Sequence, residues 1–288
     1  MSIVVTGATG HLGGLVIQHL LKKVPANEII ASVRNVEKAE DLANLGIEVR
    51  YGDYMDVELM KKSFEGASKV LFISSPDLDD TLRIRQHANV AQAARDAGVK
   101  HIAYTGFAFA EESTLPLANV HLASEYAIRS TNIPYTFLRN ALYAEVFVNP
   151  GLAASVASGE LVTNAGTGKL NAVSRNDLAL AAATVLTENG HENKTYNLVN
   201  PQPWSFDELA QVLTDVSGKK VEHRSVSFDE MKEYLVNVGL PVPVAEFSAV
   251  IYHAISEGET ARTTEDLQNL IGTPTSLKEA VKQALQGS

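Results

Sequence analysis

Short apolar runs alternate with amphipathic stretches along residues 1–140, the rhythm of stacked β-α units that feed a parallel sheet. The runs predict strands at Ile3–Thr6, Ile29–Val33, Ile47–Tyr51, Val70–Ile73, His101–Tyr104 and Tyr135–Leu138. Between them, apolar positions at helical spacing predict helices at His11–Lys23, Val36–Asn44, Val57–Phe64, Thr81–Ala97 and Ala118–Ser130, most of them closed by Gly or Asn. Runs such as Val70–Ile73 are apolar without alternation, which burial beneath helices on both faces requires. The expected fold is therefore α/β, a doubly wound parallel sheet of six strands.

After Asn140 the rhythm breaks. Pro150-Gly151, Gly159, Gly166 and Gly168 precede an Ala-rich helix pattern at Asn176–Thr187, expected to open a second lobe. Three Ser-x-x-Glu pairs, Ser205 with Glu208, Ser227 with Glu230 and Ser276 with Glu279, mark helix starts by reciprocal capping. The expected division is a Rossmann-type domain at 1–150, with 151–288 mostly a small, largely helical C-terminal lobe that binds substrate and sends segments back to the first.

Composition narrows the class. With 45% hydrophobic and 20% charged residues the chain is globular. It has no Cys, which excludes disulfides, thiolate zinc sites and cysteine nucleophiles. The dispersed His residues predict no metal. The longest apolar stretch, Leu178–Leu186, is far short of the roughly 20 residues a membrane span needs, and no basic region precedes an apolar signal core, so cytoplasm and no membrane partner are expected. The net charge is −10, with −3 on residues 1–150 and the rest on the later half. Scattered Lys and Arg disfavour a nucleic-acid partner, and the acidic lobe favours a cationic ligand over an anionic one.

Directly after the first predicted strand stands Gly7-Ala8-Thr9-Gly10-His11-Leu12-Gly13, followed by a helix pattern. Glycines in a strand-turn-helix context permit a tight turn and close approach to a pyrophosphate, whose charge the helix amides welcome. The second strand ends in Val33-Arg34-Asn35, where NAD binders carry an acid for the ribose hydroxyls. A guanidinium there pairs with a 2′-phosphate, so NADPH/NADP is the expected cofactor. Asp53, after the third strand, is a candidate for the adenine edge, or an ordinary turn acid. Ser74 and Ser75, after the fourth, also open onto the expected crevice.

Dehydrogenases of this fold often use a Tyr and a Lys four residues apart on a helix, and no Tyr-x-x-x-Lys occurs in the chain. The corresponding helix carries His121 and Glu125 on one face. His121 is a candidate proton donor beside the nicotinamide, or a polar contact of the core. There is no Gly-x-Ser-x-Gly elbow for a hydrolase. If hydride moves without a dedicated acid, the acceptor should be one that hydride alone neutralises, or one that draws protons from water.

Thr6–Gly13, Val33-Arg34-Asn35, Ala97-Gly98-Val99-Lys100, His101–Gly106, Ile133-Pro134-Tyr135-Thr136, Leu138-Arg139-Asn140 and Gly190–Lys194 together resemble the NmrA-like atypical short-chain dehydrogenases, nearly end to end. The resemblance is strongest to members that reduce triphenylmethane dyes and quinones. It implies an NADPH-dependent reductase that delivers hydride to a cationic dye such as malachite green or crystal violet, or to a quinone-like acceptor. The alternative it leaves is a redox sensor that binds NADP(H) without turnover. By resemblance, Gly7, Ala8, Thr9, Gly10, His11 and Leu12 hold the pyrophosphate, Arg34 the 2′-phosphate, and Ser74 and Ser75 the central backbone and ribose. Asn140, Tyr143 and Glu145 line the nicotinamide side, with Tyr143 a second catalytic candidate, and Ser174, Arg175 and Asp177 form a further cofactor edge. Phe107, Phe109, Tyr143, Phe147, Trp204 and Tyr252 are the expected walls for an aromatic small-molecule acceptor. The loop Pro76–Asp80 departs from the reductase pattern. A homodimer is an admissible assembly, with no seam for it visible in the sequence.

Overall fold

The computed structural model describes residues 2–286. Its centre is a seven-stranded sheet in the order β11-β6-β5-β4-β1-β2-β3. The strands are β1 (Ile3–Thr6), β2 (Ile29–Val33), β3 (Glu48–Tyr51), β4 (Lys69–Phe72), β5 (His101–Phe107), β6 (Tyr135–Asn140) and β11 (Lys194–Leu198). All their pairings are parallel. The chain winds from β1 towards β3, then from β4 towards β11, so the order reverses between β1 and β4. Connections leave these two strands to opposite sides, and the crevice at their carboxyl ends is where ligands bind in such sheets.

Helices cover both faces. On one lie α1 (His11–Leu20) and α8 (Arg175–Thr187), with the short α2 (Glu40–Asn44) and α12 (Asp266–Ile271) alongside. On the other lie α3 (Val57–Ser63), α4 (Asp80–Asp96) and α5 (Leu117–Arg129). Val4, Val70, Phe72 and Tyr104 face this second layer and Ile3, Val5 and Leu71 the first, which is why these strands are apolar throughout.

The structure departs from the sequence reading in four places. A seventh strand, β11, arises from Lys194–Leu198, whose mostly polar residues suit an edge and hid it from an apolar-run criterion. Strands β5 and β6 run on to Phe107 and Asn140, beyond their predicted ends. The helix expected at Val36–Asn44 is a 3-10 turn at Glu37–Ala39 followed by α2. The Ala-rich helix expected to open the second lobe is α8, which packs on α1 beneath the sheet. Its small residues Ala179, Ala181, Ala182 and Ala183 are fully buried and let the two helices approach closely.

The second lobe holds α6 (Ala144–Phe147), α7 (Leu152–Ser158), α9 (Phe206–Ser217), α10 (Phe228–Asn237), α11 (Val242–Ser256) and α13 (Leu277–Gln286). Three two-stranded ribbons brace it: β7 (Leu142–Tyr143) with β10 (Ala172–Val173), β8 (Glu160–Thr163) with β13 (Glu222–Ser225), and β9 (Lys169–Leu170) with β12 (Trp204–Ser205). Ser205 and Ser227 form full capping boxes on α9 and α10, and Ser276 accepts from the Glu279 amide before α13. Among the described residues no helix is long and apolar enough to cross a membrane.

Candidate functional site

The glycine turn leaves β1 with Gly7 at φ +59°, a left-handed conformation that a side chain would strain. The Gly10 amide donates to the Gly7 carbonyl at 2.9 Å and closes the turn. A methyl group on Gly13 would lie 2.3 Å from that same carbonyl, so α1 can start here only with glycine. Gly10 caps α1 without a side chain, which leaves the first helix amides open to an anion. Thr9, Gly10 and His11 are exposed around this mouth, while Ala8 and Leu12 point into the core.

Across the switch point, Thr6 ties β1 to β4. Its hydroxyl donates to the Leu71 carbonyl at 3.2 Å and accepts from the Ile73 amide at 3.0 Å. The Tyr54 hydroxyl closes over both, 2.5 Å from Thr6 Oγ1 and 2.7 Å from the Ile73 carbonyl. Ser74 donates its amide to Thr105 Oγ1 at 3.0 Å. Ser75 donates its amide to His87 Nε2 at 2.8 Å, and His87 Nδ1 in turn lies 2.6 Å from Ser124 Oγ on α5. Arg34, at the carboxyl end of β2, is exposed, and among the described residues its guanidinium has neither an ion-pair nor a hydrogen-bond partner. An unpaired cation one strand from an open helix N-terminus, around a turn that admits only glycine, fits a phosphorylated dinucleotide. Asp53 serves its own turn, accepting from the Met55 amide at 2.9 Å.

The remaining predicted residues meet farther along the sheet edge. Asn140 is buried at the end of β6. Glu145 accepts from the Arg175 amide at 2.9 Å and pairs with its guanidinium at 3.2 Å, and that guanidinium lies 4.2 Å from the Tyr143 ring centre. Burial pushes the Tyr143 phenol above its ordinary range, opposed by a hydrogen bond to Asn140. Ser174 caps α8 by accepting from Asp177. The carboxylate of Asp177 is committed elsewhere: it accepts from the amide and hydroxyl of Thr275, tying α8 to the chain before α13.

On α5, His121 and Glu125 share a face but not a partner. Glu125 takes both arms of Arg139, at 2.8 and 2.7 Å, while Glu111 holds the same guanidinium from outside. Burial disfavours the Arg139 charge, and the two carboxylates outweigh that and raise its pKa. His121 Nδ1 lies 2.9 Å from the Tyr104 hydroxyl, within hydrogen-bond distance. Burial, with Arg83 nearby, lowers His121 to about 3, so the ring is neutral at physiological pH. Its environment is that of a core polar contact.

An open cleft lies at the carboxyl ends of β5 and β6, against the C-terminal lobe. Phe107, Phe109, Leu115 and Leu142 supply its apolar surface. Ala141 and Leu142 also line it, so it is continuous with the segment from Asn140 to Glu145. Of the walls expected from sequence, Phe107 and Phe109 line this cleft. Phe147 and Tyr252 instead pack with Phe206 at ring distances of 5.3–6.3 Å in the core of the second lobe. Trp204 stacks edge-on against the same Phe206. Glu112, Glu259 and Arg262 in the cleft were not foreseen from sequence, because a loop more than 140 residues away brings Glu259 to Thr114.

A doubly wound sheet with this turn at its switch point defines a dinucleotide-binding α/β protein. The chain belongs to the NmrA-like family, whose model matches residues 1–281. It is 70% identical to a Citrobacter sp. triphenylmethane reductase over 99% of this chain and all of that one, with a TM-score of 0.98. A complex of that reductase with NADP(H) superimposes with a TM-score of 0.97 at 71% identity, covering 98% of this chain and all of the other. Quinone oxidoreductase 2 of Escherichia coli is 41% identical over 95% of this chain and 94% of its own length. Its complex with NADPH gives a TM-score of 0.93, covering 98% of this chain and 99% of that one.

Proposed function

We propose that this NADPH-dependent oxidoreductase passes hydride to a planar aromatic acceptor in the cleft beyond β5 and β6, either a cationic triphenylmethane dye or a quinone. Bound NADPH supplies the hydride. Gly7 to Leu12 hold its pyrophosphate, Arg34 its 2′-phosphate and Ser74 and Ser75 its central backbone. Asn140, Tyr143 and Glu145 flank the nicotinamide, and Ser174 and Arg175 buttress that edge.

One observation carries the acceptor class: the cleft has aromatic and aliphatic walls and a lining without His, Tyr or Lys. A triaryl carbocation needs no proton, since hydride at its central carbon completes the neutral leuco dye. A quinone needs one proton beyond the hydride to become a hydroquinone, and water at the open mouth can deliver it. The His121 ring is neutral rather than imidazolium at neutral pH, so it has no readily given proton. Identity of 70% with a triphenylmethane reductase supports the dye reading, and kinship with a quinone oxidoreductase supports the second acceptor.

The test is NADPH consumption, followed by its nicotinamide absorbance, on addition of malachite green, crystal violet or menadione. Dye bleaching in step with NADPH loss is expected. NADPH binding without turnover on any of the three would instead favour a sensor.

A further inference from the structure

We propose that Glu259 sets the charge preference of the cleft, selecting planar aromatic cations over neutral acceptors. This rests on the cleft being the acceptor site.

The cleft carries three charged side chains, Glu112, Glu259 and Arg262. Arg262 pairs with Glu112 and lies 5.4 Å from the Phe109 ring centre, so one cation and one carboxylate cancel. Glu259 has no cation of its own among the described residues. Its oxygens accept only from uncharged groups, the Ser113 hydroxyl at 3.3 Å, the Thr114 amide at 3.1 Å and the Thr114 hydroxyl. The lining therefore keeps one uncompensated negative charge beside apolar walls.

These three donors hold the carboxylate in place without neutralising it. Phe109 is also fixed, at φ +53°, with its amide donating to Asn197 Oδ1 at 3.0 Å. A fixed carboxylate beside low-dielectric aromatic walls attracts a delocalised cation and is indifferent to a neutral ring of the same shape. Electrostatic complementarity of this kind discriminates between ligands that share their apolar contacts. Glu259 touches no reacting atom in this scheme, so its effect falls on acceptor binding.

Glu259→Gln removes the charge and keeps an oxygen that can accept from Thr114. Crystal violet binding to the NADP+-loaded protein, titrated by dye absorbance, is expected to weaken by roughly tenfold, from the loss of one nearby opposite charge. The kcat/KM for crystal violet should fall in parallel and by severalfold more than that for menadione, since a neutral ring has no charge attraction to lose. Glu259→Asp, which keeps the charge, should retain most of the dye affinity. In the unaltered protein, dye affinity should decline as salt rises. Equal losses for dye and quinone, unchanged dye affinity in Glu259→Gln, or salt-independent dye binding would each overturn the proposal. Failure of the unaltered enzyme to reduce any acceptor would remove the catalytic reading, whereas the dye-binding titration would still test Glu259.

Discussion

Arg34 shows how much one side chain can carry. It stands free at the end of β2, and a carboxylate at the same place would repel a 2′-phosphate where the guanidinium attracts it. Arg34→Asp should weaken NADPH by at least roughly tenfold, through loss of a charge-assisted pair and gain of repulsion, with NADH affinity held or improved. Calorimetric titration of both cofactors measures this, and equal affinities for the two forms in the unaltered protein would take Arg34 out of the site. The glycine turn and Arg34, the residues proposed to face the cofactor, were legible in the sequence because glycine turns and the end of the second strand are local features with fixed spacing. Glu259 was not, since nothing in Ser256-Glu257-Gly258-Glu259 announces that it reaches Ser113 and Thr114.

At the scale of elements, α8 packs on α1, the helix that follows the glycine turn. Leu12, Val16, Ile17 and Leu20 of α1 are buried, and α8 meets the same core with Ala179, Ala182, Ala183 and Leu186. Small residues on α8 let α1 lie close to the sheet, which holds the Gly7–Gly13 contact at its N-terminus. Ala182→Leu adds volume to a filled interface and should cost about 1–3 kcal/mol by overpacking. Urea unfolding checks the stability loss, and a rise in NADPH Kd would show that the strain reaches the turn. The Ala-rich pattern of α8 reads as a helix from sequence, but its place on α1 does not, because more than 150 residues separate the two.

For the whole molecule, buried histidines contribute to the response to acid. His87 and His121 are lowered to about 3 and His101 to about 4, in each case first by burial. His87 accepts the Ser75 amide on Nε2, so its Nδ1 proton points to Ser124, and the ring is satisfied only when neutral. In the unfolded chain these rings take up protons below about 6.5, while the native state refuses them down to their folded values. Their contribution is therefore complete above pH 6.5 and is lost as pH falls towards 3–4. His87 and His121 should each remove on the order of 1 kcal/mol per pH unit across that window. Urea midpoints from pH 7 to pH 4.5 should fall with this slope, and His121→Gln should flatten it. A midpoint insensitive to pH over this range would contradict the burial of neutral rings.

Local chemistry alone determined the strand-and-helix rhythm, the nucleotide turn and the exchange of acid for Arg34, since each depends on residues within one turn or one element of each other. Tertiary structure decided the rest. It placed β11 at the sheet edge, where a polar strand needs only one paired neighbour, and put α8 under the sheet instead of in the second lobe. It also separated His121 from Glu125 by offering each a stronger partner, Tyr104 and Arg139. The charge of the cleft belongs to this second group, because it is the sum over loops that meet only when the chain has folded.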